Sequence, residues 1–358
     1  MTGQQLIRIV FSFLPFVVCL FWTICFLVQC RKTDGAKRFF MAYILTCTLL
    51  YLCHALFFTI GISYEVECFW TLCSLSVYPL FYAYLCRLTT SDFSLKEVLP
   101  WLVPGAITAV AKYAFPDYGI DNVRFVIFIL QIVCTCYYGI RKLNAFDKEL
   151  QAVYVDTDKR DTTAVHHLLI AFIAVSILAG VANTIGKGFF GESLWLLIPI
   201  SLAFSTLLFS LSYICFYREF TVDQLTMDEI EDVPTKGEAD MDEPEQIGIK
   251  IERLMVVEHY FLKKDLKIGD VVKEIGSNRT YVSNYINRTY HCSFSDCINN
   301  LRIEYAKQLL ASSSSNTKLS LIADESGFAN EQSFYRNFKK FVGMTPAEWF
   351  CKKGCLRP

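Results

Sequence analysis

A run of 25 almost wholly apolar residues lies near the start of the chain, at positions 6–30. About 20 apolar residues in a helix cross the roughly 30 Å hydrocarbon core of a bilayer, so this run is long enough to span a membrane. It has neither the short apolar core nor the small-residue cut site of a signal peptide, which favours a retained span. Six further apolar segments follow, at about 39–60, 68–88, 100–115, 125–143, 164–186 and 193–217. The sequence therefore predicts a bundle of seven transmembrane helices within residues 1–218.

Positive charge is distributed unevenly among the connections between these segments. Eleven Lys and Arg residues lie in the connections after the first, third and fifth segments, whereas Arg8, Arg124 and Lys187 lie near span ends on the other side. Cytoplasmic connections of membrane proteins carry an excess of Lys and Arg. We therefore predict that the N-terminus lies outside and the C-terminus in the cytoplasm. The outer connections are too short for a folded sensor domain, so a signal must act on the bundle or within the bilayer.

Charge also separates three regions of the chain. Residues 1–218 carry a net charge of +3, residues 219–248 carry −10, and residues 249–358 carry +6. The middle region holds 11 acidic residues and few apolar ones. Such a composition cannot bury a core, so we predict a flexible linker there. The basic C-terminal region is expected to be a separate cytoplasmic domain.

The C-terminal region contains the same helical pattern twice. Near its end, Gly327 follows one short apolar helix, and Phe334, Phe338 and Phe341 follow at the spacing of a second helix. Glycine takes positive φ at little cost, so Gly327 suits a tight turn between the two helices. A similar pair is centred on Gly276, and the apolar inner face of its second helix is predicted to be Tyr281, Val282 and Ile286. A helix at about 294–310 joins the two pairs. The pattern predicts two helix-turn-helix units, and the whole chain is predicted to be all-α.

Three strings in this region resemble the DNA-binding domain of AraC/XylS-type transcription regulators. They are Ile-Asn-Asn-Leu-Arg-Ile-Glu-Tyr-Ala-Lys-Gln-Leu-Leu at 298–310, Ile-Ala-Asp-Glu-Ser-Gly-Phe at 322–328, and Phe-Tyr-Arg-Asn-Phe-Lys-Lys-Phe-Val-Gly-Met-Thr-Pro at 334–346. The resemblance covers residues 251–350. It implies binding to adjacent major grooves of double-stranded DNA, transcription control in a bacterium, and RNA polymerase as a partner. Val272 replaces the usual alanine, and Asn337 replaces a usual apolar residue, both at packing positions.

The outward faces of the two second helices carry the residues that we expect to contact DNA. Arginine pairs with guanine and side-chain amides pair with adenine in the major groove, while Lys and Arg also hold phosphates. Base contacts are predicted for Arg279, Thr280, Ser283, Asn284, Asn330, Glu331, Gln332 and Arg336. Phosphate contacts are predicted for Arg288, Tyr335, Lys339 and Lys340.

Ionisable residues inside the apolar segments are the candidates for sensing. Burying such groups in lipid is expensive, so they are rare and often functional. His54 lies in the second segment and Lys112 in the fourth. Each has two interpretations: a hydrogen bond between helices, or part of a pocket for a small-molecule or membrane signal. Prolines at 15, 79 and 199 are expected to kink their helices, with neighbours satisfying the freed carbonyls.

No motif in the sequence indicates an enzyme, a cofactor or a metal site. Eleven of the 15 cysteines lie before residue 219, where they serve as small apolar residues. The leading hypothesis is a membrane-embedded, one-component regulator in the bacterial inner membrane. Two alternatives remain: a transporter or membrane enzyme with a fused regulator, and a membrane-stored factor released by cleavage in the linker. The sequence leaves open whether the protein forms a homodimer.

Overall fold

The computed structural model describes residues 3–29, 35–116, 118–155, 163–185, 193–217, 244–312 and 318–354. These parts contain fourteen α-helices, and no strand beyond a single isolated bridge occurs among them. The predicted all-α fold is therefore confirmed. The chain forms two compact units, one from residues 1–144 and 163–224, the other from residues 145–162 and 225–358.

The first unit contains seven helices among its described residues, where the sequence predicts seven spans. They are α1 (Gly3–Gln29), α2 (Gly35–Thr59), α3 (Tyr64–Thr89), α4 (Leu95–Ala114), α5 (Ile120–Val153), α6 (Thr163–Ile185) and α7 (Leu194–Tyr217). Five of them, α1, α2, α3, α5 and α7, are long and apolar enough to cross a membrane. Within α6 the apolar stretch is the shorter His166–Val181. Helix α4 carries two prolines and Lys112, and it is not apolar enough to be counted among the candidate spans. A count of seven spans therefore remains a prediction.

The core of the first unit is rich in aromatic rings. Phe81 stacks on Phe172 with ring centroids 3.6 Å apart, and Tyr43 and Tyr78 pack edge-on or tilted against the same rings. In contrast, many large apolar residues of α1, α4 and α5 are exposed. A helix with an apolar outer surface suits a lipid environment better than water. The apolar helices thus suggest membrane association.

Two prolines free backbone carbonyls that other helices then satisfy. A proline in a helix has no N–H for the carbonyl four residues earlier. Pro79 leaves the Leu75 carbonyl without that partner, and Gln131 Nε2 of α5 donates to it at 3.0 Å. Pro15 likewise frees the Phe11 carbonyl, which accepts a hydrogen bond from the Ser201 hydroxyl of α7. These two contacts confirm that neighbouring helices satisfy the carbonyls freed by Pro15 and Pro79, whereas the expectation for Pro199 stays a prediction.

The second unit contains the remaining helices. They are α8 (Pro244–Glu252), α9 (Ile268–Ile275), α10 (Arg279–Tyr290), α11 (Phe294–Ser312), α12 (Leu319–Glu325), α13 (Glu331–Val342) and α14 (Pro346–Gly354). A π-helical turn (Arg253–Val257) and a 3-10 turn (Tyr260–Leu262) connect α8 to α9. The predicted linker, 219–248, lies mostly outside the described residues. Its last five residues differ from the prediction, because α8 already begins at Pro244.

The end of α5 packs within the second unit, although its position in the sequence assigns it to the predicted transmembrane domain. Val155 donates its N–H to the Leu266 carbonyl at 3.2 Å, next to an antiparallel bridge between Tyr154 and Lys267. Its own carbonyl accepts from Ser295 Oγ at 2.9 Å and, at 3.4 Å, from Asn299 Nδ2. We call residues 145–155 the α5 arm. Its large apolar side chains are almost fully buried: Phe146, Leu150, Val153, Tyr154 and Val155. The arm is therefore a built-in part of the second unit.

Candidate nucleic-acid interface

Helices α12 and α13 form the second helix-turn-helix unit, as the sequence predicts. Gly327 has a φ of +81°, and a Cβ atom at this position would lie only 2.7 Å from the Leu262 carbonyl oxygen. Phe328, Phe334 and Phe338 are almost fully buried in the core between these helices and α11. Phe341 packs at the edge of this core. The glycine and the phenylalanines thus fix the angle between α12 and α13.

The exposed face of α13 carries most of the side chains predicted to contact DNA there. Asn330 caps the helix, because its Oδ1 accepts from the Ser333 N–H at 2.7 Å. Tyr335 is half-buried against the core, where burial and the nearby Glu331 carboxylate raise the pKa of its hydroxyl. Lys340 pairs with Asp296 of α11, with Nζ 2.6 Å from Oδ1. The exposed members of the set are Asn330, Glu331, Gln332, Arg336, Lys339 and Lys340.

Helices α9 and α10 form the first helix-turn-helix unit around Gly276, whose φ is +65°. Asn278 caps α10 by accepting from the Tyr281 N–H at 3.0 Å. The prediction of the inner face of α10 is wrong for Tyr281, which is 48% exposed. It is confirmed for Val282 and Ile286, which are buried. A tyrosine exposed on this helix is a candidate DNA contact that the apolar periodicity assigns to the core. Among the predicted contacts, Thr280, Asn284 and Arg288 are exposed, and Arg279 and Ser283 are half-buried.

Helix α11 joins the two units and is about 28 Å long at 1.5 Å per residue. Its Arg302 is fully buried, which the sequence pattern does not predict. Arg302 Nε donates to the Phe261 carbonyl and Nη2 to the Lys263 carbonyl, both at 2.8 Å. Its guanidinium carbon also lies 5.7 Å from the centre of the Phe328 ring. One arginine therefore connects the 3-10 turn, the joining helix and the second turn.

The two departures from the family pattern are accommodated. Val272 is 1% exposed and packs in the first helix-turn-helix unit. Asn337 is 7% exposed, and its Nδ2 donates to the Ser333 carbonyl at 3.0 Å. A buried amide that has a hydrogen-bond partner avoids most of the cost of desolvation. Both residues lie at packing positions, as expected from the sequence.

Comparisons with known proteins agree with this geometry. The family described as "Helix-turn-helix domain" matches residues 271–351. The C-terminal region is an AraC-type helix-turn-helix domain. A 91-residue stretch is 29% identical to the uncharacterized HTH-type transcriptional regulator YtdP of Bacillus subtilis (strain 168). This match covers 25% of the chain and only 12% of that relative. No solved structure matches the chain.

The two sensing candidates of the first unit have defined partners. Lys112 lies in the last turn of α4, where its Nζ is 2.8 Å from Asp121 Oδ1 and 3.2 Å from Glu67 Oε1. Arg124 Nε also contacts Asp121 Oδ1, at 3.1 Å. These four residues, Glu67, Lys112, Asp121 and Arg124, form an ion-pair cluster between α3, α4 and α5. The partners of Lys112 agree with the interpretation of an interhelical contact.

His54 of α2 has two competing contacts at one ring nitrogen. Its Nδ1 lies 3.0 Å from the Leu50 carbonyl oxygen and 3.2 Å from Trp70 Nε1. The indole N–H can only donate, so Nδ1 must be unprotonated to accept it, whereas a bond to the carbonyl requires a proton on Nδ1. The two contacts therefore belong to different tautomers. Trp70 is also stacked by Arg124, whose guanidinium carbon is 4.6 Å from the ring centre.

Burial makes the Cys297 thiol of the second unit unreactive. Cys297 is buried, and desolvation together with the nearby Cys292 raises the pKa of its thiol to about 12. Thiolate, rather than thiol, is the nucleophile and the metal ligand. At neutral pH Cys297 therefore behaves as a small apolar residue.

Proposed function

We propose that this protein is a membrane-embedded, one-component transcription regulator of a bacterial inner membrane. Its helices α1–α7 hold it in the bilayer with the N-terminus outside, and its C-terminal domain binds DNA from the cytoplasm. A signal acting on the helices sets its activity. The observation that carries the proposal is the joining, in one chain, of span-length apolar helices to a double helix-turn-helix domain. The regulator named among the relatives supports the part played by the C-terminal domain.

The α5 arm supports the proposed topology independently of charge. It contacts Leu266, Ser295 and Asn299 of the DNA-binding domain. The connection after α5 and the C-terminal domain must then lie on the same side of the membrane. The distribution of Lys and Arg predicts the cytoplasmic side for both. Fusions of alkaline phosphatase, which is active outside the cytoplasm, test this: a fusion at Pro358 should be inactive, and an active fusion would overturn the topology.

The arm also suggests how a signal reaches the DNA-binding domain. The chain enters this domain through the acidic linker and also contacts it through α5, which begins at Ile120 in the first unit. A linker with the predicted lack of a core would transmit little force, whereas a continuous helix transmits a shift or a rotation of its axis. We therefore assign the coupling role to α5 and its arm. Two arrangements of the helices would present the two helix-turn-helix units differently to DNA.

Within the DNA-binding domain, Arg336 is proposed to read bases and Lys340 to hold a phosphate. Lys340→Ala should weaken binding to any duplex and lower the slope of log K against log salt by about 0.9. Asp296→Asn should do the opposite, because it releases Lys340 from its ion pair. Fluorescence anisotropy with a random-sequence duplex, across a salt series, measures both. Equal slopes for the two variants and the parent protein would remove Lys340 from the interface.

The resemblance further suggests RNA polymerase as a partner, and two half-sites in one chain make a homodimer useful but not required.

Release of the domain by proteolysis predicts a soluble C-terminal fragment in stimulated cells. An immunoblot against the C-terminus distinguishes the two modes, since the tethered regulator appears only at full length in the membrane fraction.

A further inference from the structure

A cavity rich in aromatic side chains lies inside the first unit. Its volume is about 170 Å³, and residues of α1, α2, α3, α5, α6 and α7 contribute to its wall. An apolar cavity of about 150 Å³ in another protein stays dry and binds benzene. This cavity is therefore large enough for a single substituted ring. Rings of Tyr43, Tyr51, Tyr78, Phe172 and Phe204 form much of its wall.

The chemistry of the wall favours a neutral occupant over a charged one. None of the lining residues that the structure describes is an Asp, Glu, Lys or Arg. A charge buried without a partner is strongly unfavourable in a low-dielectric site. The ion-pair cluster around Lys112 does not contribute to the wall. A ligand of this cavity is therefore expected to be neutral.

One serine in the wall has a buried hydroxyl without a hydrogen-bond partner among the described residues. Ser12 is 7% exposed, and its Oγ makes no hydrogen bond. The other serines of the wall are engaged: Ser74 with the Thr71 carbonyl, Ser176 with the Phe172 carbonyl, and Ser201 with the Phe11 carbonyl. Leaving a buried hydroxyl without a partner is unfavourable, and a bound hydrogen-bonding group would remove that cost. Ser12 thus defines the polar end of the site.

We propose that this cavity binds a neutral, single-ring aromatic molecule that carries one hydroxyl or carbonyl group, which Ser12 hydrogen-bonds. The inference rests on the proposed function for its role as the signal, but the binding itself does not depend on it. His54 and Trp70 also line the cavity. A ligand that contacts either residue favours one of the two His54 tautomers, and Trp70 then links the site to Arg124 near the start of α5.

The test uses the full-length protein in lipid nanodiscs and isothermal titration calorimetry with p-cresol as the probe. Empty nanodiscs correct for partition of the probe into lipid. We expect a saturable heat with one site per chain for p-cresol, and none for the charged toluenesulfonate. Ser12→Ala should weaken p-cresol binding by about threefold to tenfold, which is the range of one net hydrogen bond. It should leave the binding of p-xylene, which lacks the oxygen, unchanged.

Ser205→Ala is the matched control for Ser12→Ala. Ser205 is 6% exposed, its Oγ is likewise without a partner among the described residues, and it does not line the cavity. Ala179→Leu, which extends a side chain of the wall, should abolish binding, whereas Ala174→Leu on the same helix should not. Circular dichroism and size-exclusion elution verify that each variant is folded.

Three results would overturn the proposal: no saturable heat beyond that of empty nanodiscs, equal binding of toluenesulfonate, or equal effects of Ser12→Ala and Ser205→Ala. A reporter gene then separates the two proposals. Saturable binding without a p-cresol response of the reporter supports the cavity site and contradicts its role as the signal input. Loss of DNA binding by a variant that still binds p-cresol bears on the regulator function alone.

Discussion

Gly327→Ala tests how the second helix-turn-helix unit is held together. The backbone at Gly327 has a φ of +81°. An L-residue in this region costs roughly 1–2 kcal/mol, and alanine recovers about 0.4–1 kcal/mol by restricting the unfolded chain. Conformation alone therefore lowers the free energy of unfolding by only about 1 kcal/mol.

The close approach of Leu262 makes the substitution still more unfavourable. A Cβ atom at Gly327 would lie 2.7 Å from the Leu262 carbonyl oxygen and 2.8 Å from its Cα. Leu262 cannot easily move away, because Arg302 holds the carbonyls of Phe261 and Lys263 on either side of it. Forcing an extra methyl group into a packed site costs about 1–3 kcal/mol. The total expected loss of stability for Gly327→Ala is about 2–4 kcal/mol.

Gly343→Ala is the matched control for this substitution. Gly343 also has a φ of +81°, but no atom lies within 4 Å of the position that its Cβ would occupy. We expect a loss of about 1 kcal/mol, from conformation alone. The difference between the two variants therefore isolates the contact with the Leu262 backbone.

Urea unfolding measures both losses in the fragment 244–358, with residues 145–155 joined to it by a flexible segment so that the α5 arm is kept. Trp349 is the single tryptophan of this fragment, and it packs 6.0 Å from Phe338 in the core of the second helix-turn-helix unit. With an m-value of about 1.5 kcal/mol per M, the midpoint should fall by roughly 1.5–2.5 M for Gly327→Ala and by less than about 1 M for Gly343→Ala. Equal midpoints for the two variants would refute the idea that Arg302 fixes the Leu262 backbone against the turn.

Three further predictions concern other contacts. Gln131→Leu should lower the stability of the first unit by about 0.6–1.7 kcal/mol, and by less in a Pro79→Ala background, as a double-mutant cycle in detergent would measure. Asn299→Ala should speed hydrogen exchange in the α5 arm of the full-length protein, whereas Asn300→Ala, at an exposed position, should not. The Thr345 backbone N–H lowers the pKa of the Glu348 carboxyl; the stability that this contact adds is present above pH 4.5 and is lost as the pH falls through the lowered pKa. Glu348→Gln should therefore make the urea midpoint fall less steeply as the pH is lowered below 4.5.

Local patterns in the sequence account for the parts of the fold that depend on nearby residues. Gly276, Gly327 and the phenylalanines of α13 lie within a few residues of the contacts they make, so spacing and residue type were sufficient to predict both turns. Tyr281 could not be placed in this way, because a tyrosine next to the buried residues of α10 can lie on either the buried or the exposed face of the helix. It is exposed in the structure.

Two other unpredicted features join residues that are far apart in the chain. Arg302 holds carbonyls about 40 residues earlier, and Val155 contacts side chains about 140 residues later. The 3.6-residue repeat of apolar residues in a helix contains no information on contacts between residues so far apart in the chain. An arginine in an amphipathic helix is normally exposed, and the carbonyls of Phe261 and Lys263 help to make the burial of Arg302 favourable. The sequence could therefore predict the elements of the DNA-binding domain but not the contacts of Arg302 or the α5 arm.

We propose that this chain binds DNA through both helix-turn-helix units while its apolar helices lie in the membrane. The most direct measurement is selection of duplexes from a random pool by the full-length protein in nanodiscs, followed by sequencing. We predict two enriched blocks whose centres are about 10 base pairs apart, one turn of duplex. Arg279→Ala should reduce the base preference within one block, and Arg336→Ala should reduce it within the other. No enrichment, or a single block that both substitutions affect equally, would contradict the account.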